Sequence, residues 1–424
     1  MKKNNYHTFM TWLKKNNAYF PDVYLKKYSN HERGVHASKN INKQSEVIMI
    51  PKSILIYSNM GKSTPMGKII KQSGEHISNL VYIALYMITD MNSVNNFKAY
   101  YDILPNNLTN FPIFWSEKEL YFLENNEFIK EIKDRKKMFQ KEYQILTKYI
   151  KYFSQLCNLQ QYMHLRVIIG SRNFALMIDG ESQPTMVPLG DMLNHDIDPD
   201  VTWSFNHEKN GFLMTAKKHI TVNQAITDSY GLKSNKKYLL YYGFTSDSFD
   251  NHMDSVSIKF KNLPQPKTLN TLKKPFLKKN EFIDEIHRNI ANNSLQNLLL
   301  WARINVANKD EMNSIKNRHN SYSNIHLISK RNEIAALLFI IESIRHQLSK
   351  YQYTLQENKN MISKYPKGSK IYFAIKLVIY EKNILHSLSQ FLNMAVKKLL
   401  FKKTFSPNMF TETQNNYMRS IEML

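Results

Sequence analysis

At 424 residues the chain exceeds what one ordinary hydrophobic core supports, so two domains, or one domain with a large insertion, are expected. It is hydrophobic enough to fold, and its lone cysteine, Cys157, excludes a disulfide framework and a cysteine-rich zinc site and fits a reducing compartment. Lys and Arg outnumber Asp and Glu by 58 to 35, a formal charge of +23. No compact basic block is interleaved with aromatics as a nucleic-acid groove requires, so nucleic acid is not an expected partner.

In chain order, residues 7–14 predict an amphipathic helix. Its apolar stretch at 9–13 is too short for a secretory signal. Gly34-Val35-His36-Ala37 and Glu46-Val47-Ile48-Met49-Ile50-Pro51 predict short strands broken by turn residues. From about 67 to 166 the pattern is helical: Leu80, Ile83, Ala84 and Met87 recur at helical spacing, as do Ile129, Ile132 and Met138 with looser phase. Strand character returns between Ile168 and Phe260, punctuated at Asp179-Gly180, Asn194-His195-Asp196 and Asn210-Gly211. There Val201, Trp203 and Phe205 alternate, as do Val256, Ile258 and Phe260. After a linker candidate, Leu263-Pro264-Gln265-Pro266, helix dominates to the end. Ile334, Leu337, Leu338, Ile341, Ile344 and Leu348 form one apolar packing stripe. Apolar runs such as 335–341 are too short to cross a membrane, so a soluble, intracellular protein (cytoplasmic or nuclear), monomeric and without membrane partners, is expected.

Several motifs fail. Gly61-Lys62-Ser63-Thr64 resembles the end of a phosphate-binding loop, but Ile56 stands where that loop needs its first glycine. No GxGxxG occurs. Asp196, Asp198 and Asp200 alternate like the start of a calcium loop, yet Pro199 intrudes and Val201 replaces the turn glycine, so an acidic solvent turn is expected and no metal site.

Four separated segments read differently when taken together. They are Arg33-Gly34-Val35-His36-Ala37 followed by Ile50-Pro51; Ser171-Arg172-Asn173-Phe174; Pro188-Leu189-Gly190-Asp191-Met192-Leu193-Asn194-His195; and Ser229-Tyr230-Gly231-Leu232-Lys233-Ser234-Asn235 running on to Leu239-Leu240-Tyr241-Tyr242-Gly243-Phe244. In order and spacing they resemble the SET methyltransferases, most of all the branch of the Rubisco large-subunit lysine methyltransferase and the actin-histidine methyltransferase. Asn332-Glu333, Tyr351 and Thr354-Leu355-Gln356-Glu357-Asn358 are similar to the helical substrate-binding domain that follows SET in that branch. The resemblance implies an α+β fold: a SET-type β fold over 1–262 with a helical insertion at about 67–166, then an all-α substrate-binding domain over 267–424.

It also implies a protein methyltransferase using S-adenosylmethionine, with S-adenosylhomocysteine as product and a protein substrate held by the C-terminal domain. Methyl transfer is an in-line displacement in which an unprotonated amine meets a carbon on a sulfonium. Enclosing a lysine in an apolar channel lowers its pKa enough to free the lone pair. By resemblance Tyr230 orients amine and methyl, and Tyr242 lines cofactor and channel. Asn194, His195 (through its backbone, not as a base), Asp191 and Arg172 hold the cofactor, and His36 lies near it. The branch carries a Glu shortly after its Ile-Pro strand end; Asn59 stands there, followed by Met60 and Gly61 as the cofactor-side loop. Family members acting on histidine carry Asn two residues after the motif arginine. Here that position is Phe174, an aromatic channel wall suited to a lysine stem. A lysine methyltransferase acting on a non-histone protein is therefore the expectation. The alternatives are a protein-histidine methyltransferase and a SET-like scaffold without catalysis.

Overall fold

The computed structural model describes residues 5–28, 33–246, 251–277, 281–288, 293–318 and 327–424. By internal contact the chain divides into two compact units. One comprises Met1–Phe114, Lys130–Leu232 and Leu240–Gly243; the other comprises Trp115–Ile129, Lys233–Leu239 and Phe244–Leu424. The division interleaves along the chain rather than falling at one linker near 262–267.

The strands of the first unit, in chain order, are β1 (Val23–Lys27), β2 (Arg33–Ala37), β3 (Glu46–Pro51), β4 (Ile56–Tyr57), β5 (Asn173–Ile178), β6 (Glu181–Met186), β7 (Asn194–His195), β8 (Val201–Asn206), β9 (Gly211–Ala216) and β10 (Ala225–Asp228). They form three small sheets, ordered β1-β2-β10-β7, β3-β9-β8 and β4-β6-β5. The predicted strand at 46–51 is β3, with Val47, Ile48 and Ile50 buried. Asp179 and Gly180 both take positive φ (52° and 80°), the primed turn that folds β5 antiparallel onto β6.

Helices cover these sheets where the sequence placed them. On the helix Asn79–Met91, Ile83, Ala84 and Met87 are buried. A Cβ on Gly61 would lie 1.7 Å from the Tyr82 carbonyl oxygen, so only glycine lets the helix Ser58–Ser63 pack this closely. Three readings change. The segment from Ile168 to Arg172 is helical, closing the helix Leu159–Arg172, and strand begins at Asn173. Met138 is 45% exposed, whereas Ile132, Phe139 and Leu146 carry the buried stripe of the helix Asn126–Tyr149. Glu142 joins that stripe because Arg166 meets it in a buried fork, Nε to Oε2 at 2.8 Å and Nη2 to Oε1 at 3.0 Å. Asp200, expected in a solvent turn, is buried and accepts from the Thr227 N–H and hydroxyl, while Asp198 stays outside against Lys217 and Lys218.

The second unit is mainly helical, built on the helices Asn293–Val306, Lys330–Leu348 and Lys370–Phe401. It also holds a two-stranded antiparallel ribbon, β11 (Ser255–Lys261) with β12 (Glu281–His287). The sequence hides β12 because charged residues crowd its apolar ones. On the helix Lys330–Leu348 the buried stripe runs through Ala336, Leu337, Ile340, Ile341 and Ile344, with Leu338 turned outward at 49% exposure. The motif residues here are structural: Glu333 forks with Arg303, and Asn358 accepts from the buried Lys382 ammonium, which also pairs with Glu124. Among the described residues no helix is long and apolar enough to cross a membrane.

Candidate active site

Four stretches of the first unit meet around the backbone of residues 189–195. Leu189 is held at φ 73°, ψ −44°, a conformation a leucine adopts only under constraint from its surroundings. Gly190 follows because a Cβ there would sit 2.8 Å from a Val187 methyl. The strain throws the chain into the short turn Gly190–Met192 and then into β7, which runs parallel to β10 with Asn194 opposite Thr227 and His195 opposite Asp228.

Arg172 is the last residue of the helix Leu159–Arg172, whose first turn is fixed by the Asn158–Gln161 capping box and whose middle is anchored by Arg166 to Glu142. From there its Nη1 donates to the Asp191 carbonyl at 2.6 Å and lies 3.5 Å from the Asp191 carboxylate. Tyr100 donates its hydroxyl to the same carboxylate oxygen at 2.9 Å. The other carboxylate oxygen, Oδ1, is buried and has no hydrogen-bond partner among the described residues; neither do Nε and Nη2 of Arg33. Burial pushes the Asp191 carboxyl up, against the pull of Arg172 and Arg33. Burial and then the neighbouring Arg172 push the Arg33 guanidinium down. Two guanidiniums thus face one carboxylate, and the cluster is short of an anion.

The tyrosine pair completes the arrangement. Tyr230 donates its backbone N–H to His195 Nδ1 at 3.1 Å and its hydroxyl to the Leu193 carbonyl at 2.8 Å, with its ring stacked between His195 and Tyr242. Because that Nδ1 accepts, the His195 proton belongs on Nε2. Burial raises the Tyr230 hydroxyl pKa well above its ordinary value; Arg172 opposes this and Asp228 adds to it. The Tyr242 hydroxyl donates to the Tyr230 carbonyl at 3.4 Å. Asn194 donates to the Arg33 carbonyl at 3.1 Å, tying β7 to β2.

Arg172, Asp191, Asn194, His195, Tyr230 and Tyr242 are therefore brought together. The other expected residues lie apart from this cluster. His36 is buried with both ring nitrogens engaged: Nδ1 donates to the Asn223 carbonyl at 2.8 Å, which leaves Nε2 to accept from the Tyr28 hydroxyl at 2.7 Å. Asn59 bonds Gln183, Glu181 and Lys62, Gly61 abuts the Tyr82 backbone, and Met60 lies between them on the same helix. Phe174 is buried, packed edge-on against Trp203 and Phe212 with ring centres 5.1 Å away in both cases.

Three contributors went unassigned in the sequence. Arg33 opens a quoted motif, and its charge was the available signal. Tyr100, some 90 residues from Asp191, gives none. Asp228 lies two residues before Tyr230, is buried, and has its carboxyl pushed up to about 6 by that burial.

A glycine turn, an arginine at a helix end, a strained loop into Asn-His and a stacked tyrosine pair define a SET-type centre. Residues 32–231 match the SET domain family and residues 267–385 the Rubisco LSMT substrate-binding family. The chain belongs to the SET-domain methyltransferases. Among curated proteins it is similar to the actin-histidine N-methyltransferases of Otolemur garnettii and Homo sapiens. Each is 21% identical, over 95% and 91% of this chain and 70% and 68% of theirs. Among solved structures it is similar to Rubisco LSMT bound to sinefungin and monomethyllysine (TM-score 0.73, 17% identity, 95% of both chains). It is also similar to Rubisco LSMT bound to AdoMet (TM-score 0.71, 18% identity, 94% and 93%).

Proposed function

We propose that this chain transfers a methyl group from S-adenosylmethionine to a lysine side chain of a non-histone protein, with the helical unit holding that protein. The supporting observation is the set of buried polar atoms left over at the site. Arg33 Nε and Nη2 offer two N–H donors and Asp191 Oδ1 one anionic acceptor, none with a partner among the described residues. An α-amino acid end, carboxylate and ammonium together, fits that set, and the methionine end of the cofactor carries both. Structural relatives bound to AdoMet and to AdoHcy agree with this reading. When bound, the cofactor supplies an electrophilic methyl on a sulfonium.

The chain's own residues supply the rest. Arg33 and Arg172 neutralise a carboxylate away from water, where such pairing is strong. Asn194 ties the loop to β2 and fixes its register. The Tyr230 ring is held between His195 and Tyr242, which fixes the position of its hydroxyl. Phe174, backed by Trp203 and Phe212, gives an apolar wall along which a lysine stem is desolvated and its ammonium made easier to deprotonate.

The names of the curated relatives favour a second reading, transfer to a histidine. The first is preferred because Phe174 offers no hydrogen bond to an imidazole nitrogen. Incubating the chain with radiolabelled cofactor and cell lysate, beside Tyr230→Phe, tests the activity, and mass spectrometry of the labelled band separates the two targets. Methyl-histidine in that band would overturn the lysine assignment; no label above the Y230F control would overturn the enzyme.

A further inference from the structure

The helical unit carries a groove that the chemistry above does not use. The helix Leu355–Ile362 opens on a capping box, Thr354 with Glu357, and the chain then turns back through 363–369 into the helix Lys370–Phe401. Gly368 takes φ 83° in that return, and the Ser369 N–H donates to the Pro366 carbonyl at 3.0 Å. Between the two helices and this turn lies a groove of about 560 Å³, within the range of about 300–1,000 Å³ that ligand sites occupy. Buried Ile379 and half-buried Ile362, Tyr365 and Tyr372 give it an apolar lining, while Lys359 and Lys367 stand exposed at its rim. The Tyr365 ring is fixed edge-on against Phe122, with ring centres 5.9 Å apart, so this wall is in place before any ligand arrives.

The charge of the groove has one sign. No acidic side chain lines it among the described residues. Each flanking helix holds a single acid, and both are engaged elsewhere: Glu357 accepts from the Thr354 N–H at 2.6 Å as part of its cap, and buried Glu381 pairs with Lys236 at 2.9 Å. A third cation adds to the two rim lysines, the buried Lys376 ammonium, 5.7 Å from the centre of the Tyr372 ring. The exposed rim does not enclose a ligand as a small-molecule site does, whereas an extended stretch of another protein can lie along it. We propose that this groove docks an acidic, apolar-flanked segment of the protein substrate. Apolar side chains of the segment seat against Ile362, Tyr365 and Tyr372, and its carboxylates meet Lys359 and Lys367. Exposed charge pairs are individually weak, so the apolar contacts supply most of the affinity and the lysines the choice of partner. This rests on the reading that the helical unit holds the substrate, and it names the chemistry of the piece held.

The test is fluorescence anisotropy of the full chain with a fluorescein-labelled peptide, Glu-Leu-Asp-Phe-Glu. One control peptide carries Lys at the acidic positions and another carries Ser at the apolar ones. Both controls should bind roughly tenfold more weakly than the acidic peptide. Lys359→Glu combined with Lys367→Glu, both at the exposed rim, should weaken the acidic peptide roughly tenfold and tighten the lysine peptide, a reversal that unfolding cannot mimic. Ile362→Ser should weaken the acidic peptide and leave the serine peptide unchanged. Excess acidic peptide should also suppress radiolabelling of the lysate protein by the unaltered chain. Equal binding of the acidic and lysine peptides, equal binding of the acidic peptide by the unaltered chain and the double variant, or undiminished lysate labelling at saturating peptide would overturn the assignment. So would oligo-uridine binding tighter than the acidic peptide and lost in the double variant, which would make the rim a phosphate site. Peptide binding of the expected pattern with no lysate labelling at all would sustain the groove and sink the methyltransferase reading instead.

Discussion

Replacing Arg33 by Met should stabilise the ligand-free protein and weaken its grip on cofactor. In the folded chain the Arg33 Nε and Nη2 donors are buried and without partners among the described residues, and the guanidinium is disfavoured by burial and by Arg172. Each buried unpaired donor costs about 1–3 kcal/mol, more for charged groups. Against this stand the attraction of Asp191 and the contact with the Tyr6 ring, 5.9 Å away, worth about 0.5–1 kcal/mol. The net expectation for Arg33→Met is a gain of about 1–2 kcal/mol, or roughly 1–2 °C in Tm for a chain of this size. A ligand present at 100 times its Kd adds about 2.7 kcal/mol to stability. Loss of a charge-assisted carboxylate contact of about 2 kcal/mol weakens binding about thirtyfold and cuts that increment to about 0.9 kcal/mol. Differential scanning fluorimetry with and without S-adenosylhomocysteine measures both. A lower ligand-free Tm, or an undiminished ligand shift, would show that Arg33 is a structural cation rather than one waiting for an anion.

Four more outcomes are expected. Tyr230→Phe should lower methyl transfer by roughly 10²-fold, while keeping the S-adenosylhomocysteine shift and costing about 1 kcal/mol of stability for the lost bond to Leu193; loss of the cofactor shift would mean a structural role. Glu142→Gln breaks the buried fork with Arg166 and should lower the Tm by roughly 3–6 °C, from about 3–5 kcal/mol, as read by circular dichroism. Gly61→Ala forces a methyl to within 1.7 Å of the Tyr82 carbonyl oxygen and should cost at least about 1–3 kcal/mol in urea unfolding. Finally, the Asp228 carboxyl, pushed up to about 6, makes the folded chain the tighter proton binder, so ionisation is penalised in the fold. Its contribution to stability therefore declines as pH rises from about 4 to about 6, by about 3 kcal/mol, and stays flat above. Urea midpoints of the unaltered chain minus those of Asp228→Asn should show that slope; an equal difference at pH 4 and pH 7 would refute it.

The residues that could be read from the sequence were those whose neighbours in space are also neighbours in the chain. Asp191, Asn194 and His195 share one loop, and Tyr242 ends the short helix Asn235–Tyr242 that follows Tyr230. A local motif therefore carried the geometry, and the structure brings them together with Arg172. The strands at 33–37 and 46–51 and the Asp179-Gly180 hairpin were legible for the same reason, since short strand-forming runs and a primed turn are written in consecutive residues. The rest depended on pairings that no window contains. Glu142 lies in a helix's buried stripe because Arg166, 24 residues on, neutralises it, while Met138 lies at the surface. β12 is a strand because β11 pairs with it, against a sequence too charged to show alternation. His36 drew attention as the titratable residue of its motif, yet it is Arg33, three residues earlier, that carries unspent donors, because Tyr28 and Asn223 satisfy the imidazole completely. Donor and acceptor accounting in three dimensions thus separates a residue fixed by its fold from one kept for a ligand. By that criterion Arg33 and Asp191 are the residues proposed to meet the ligand.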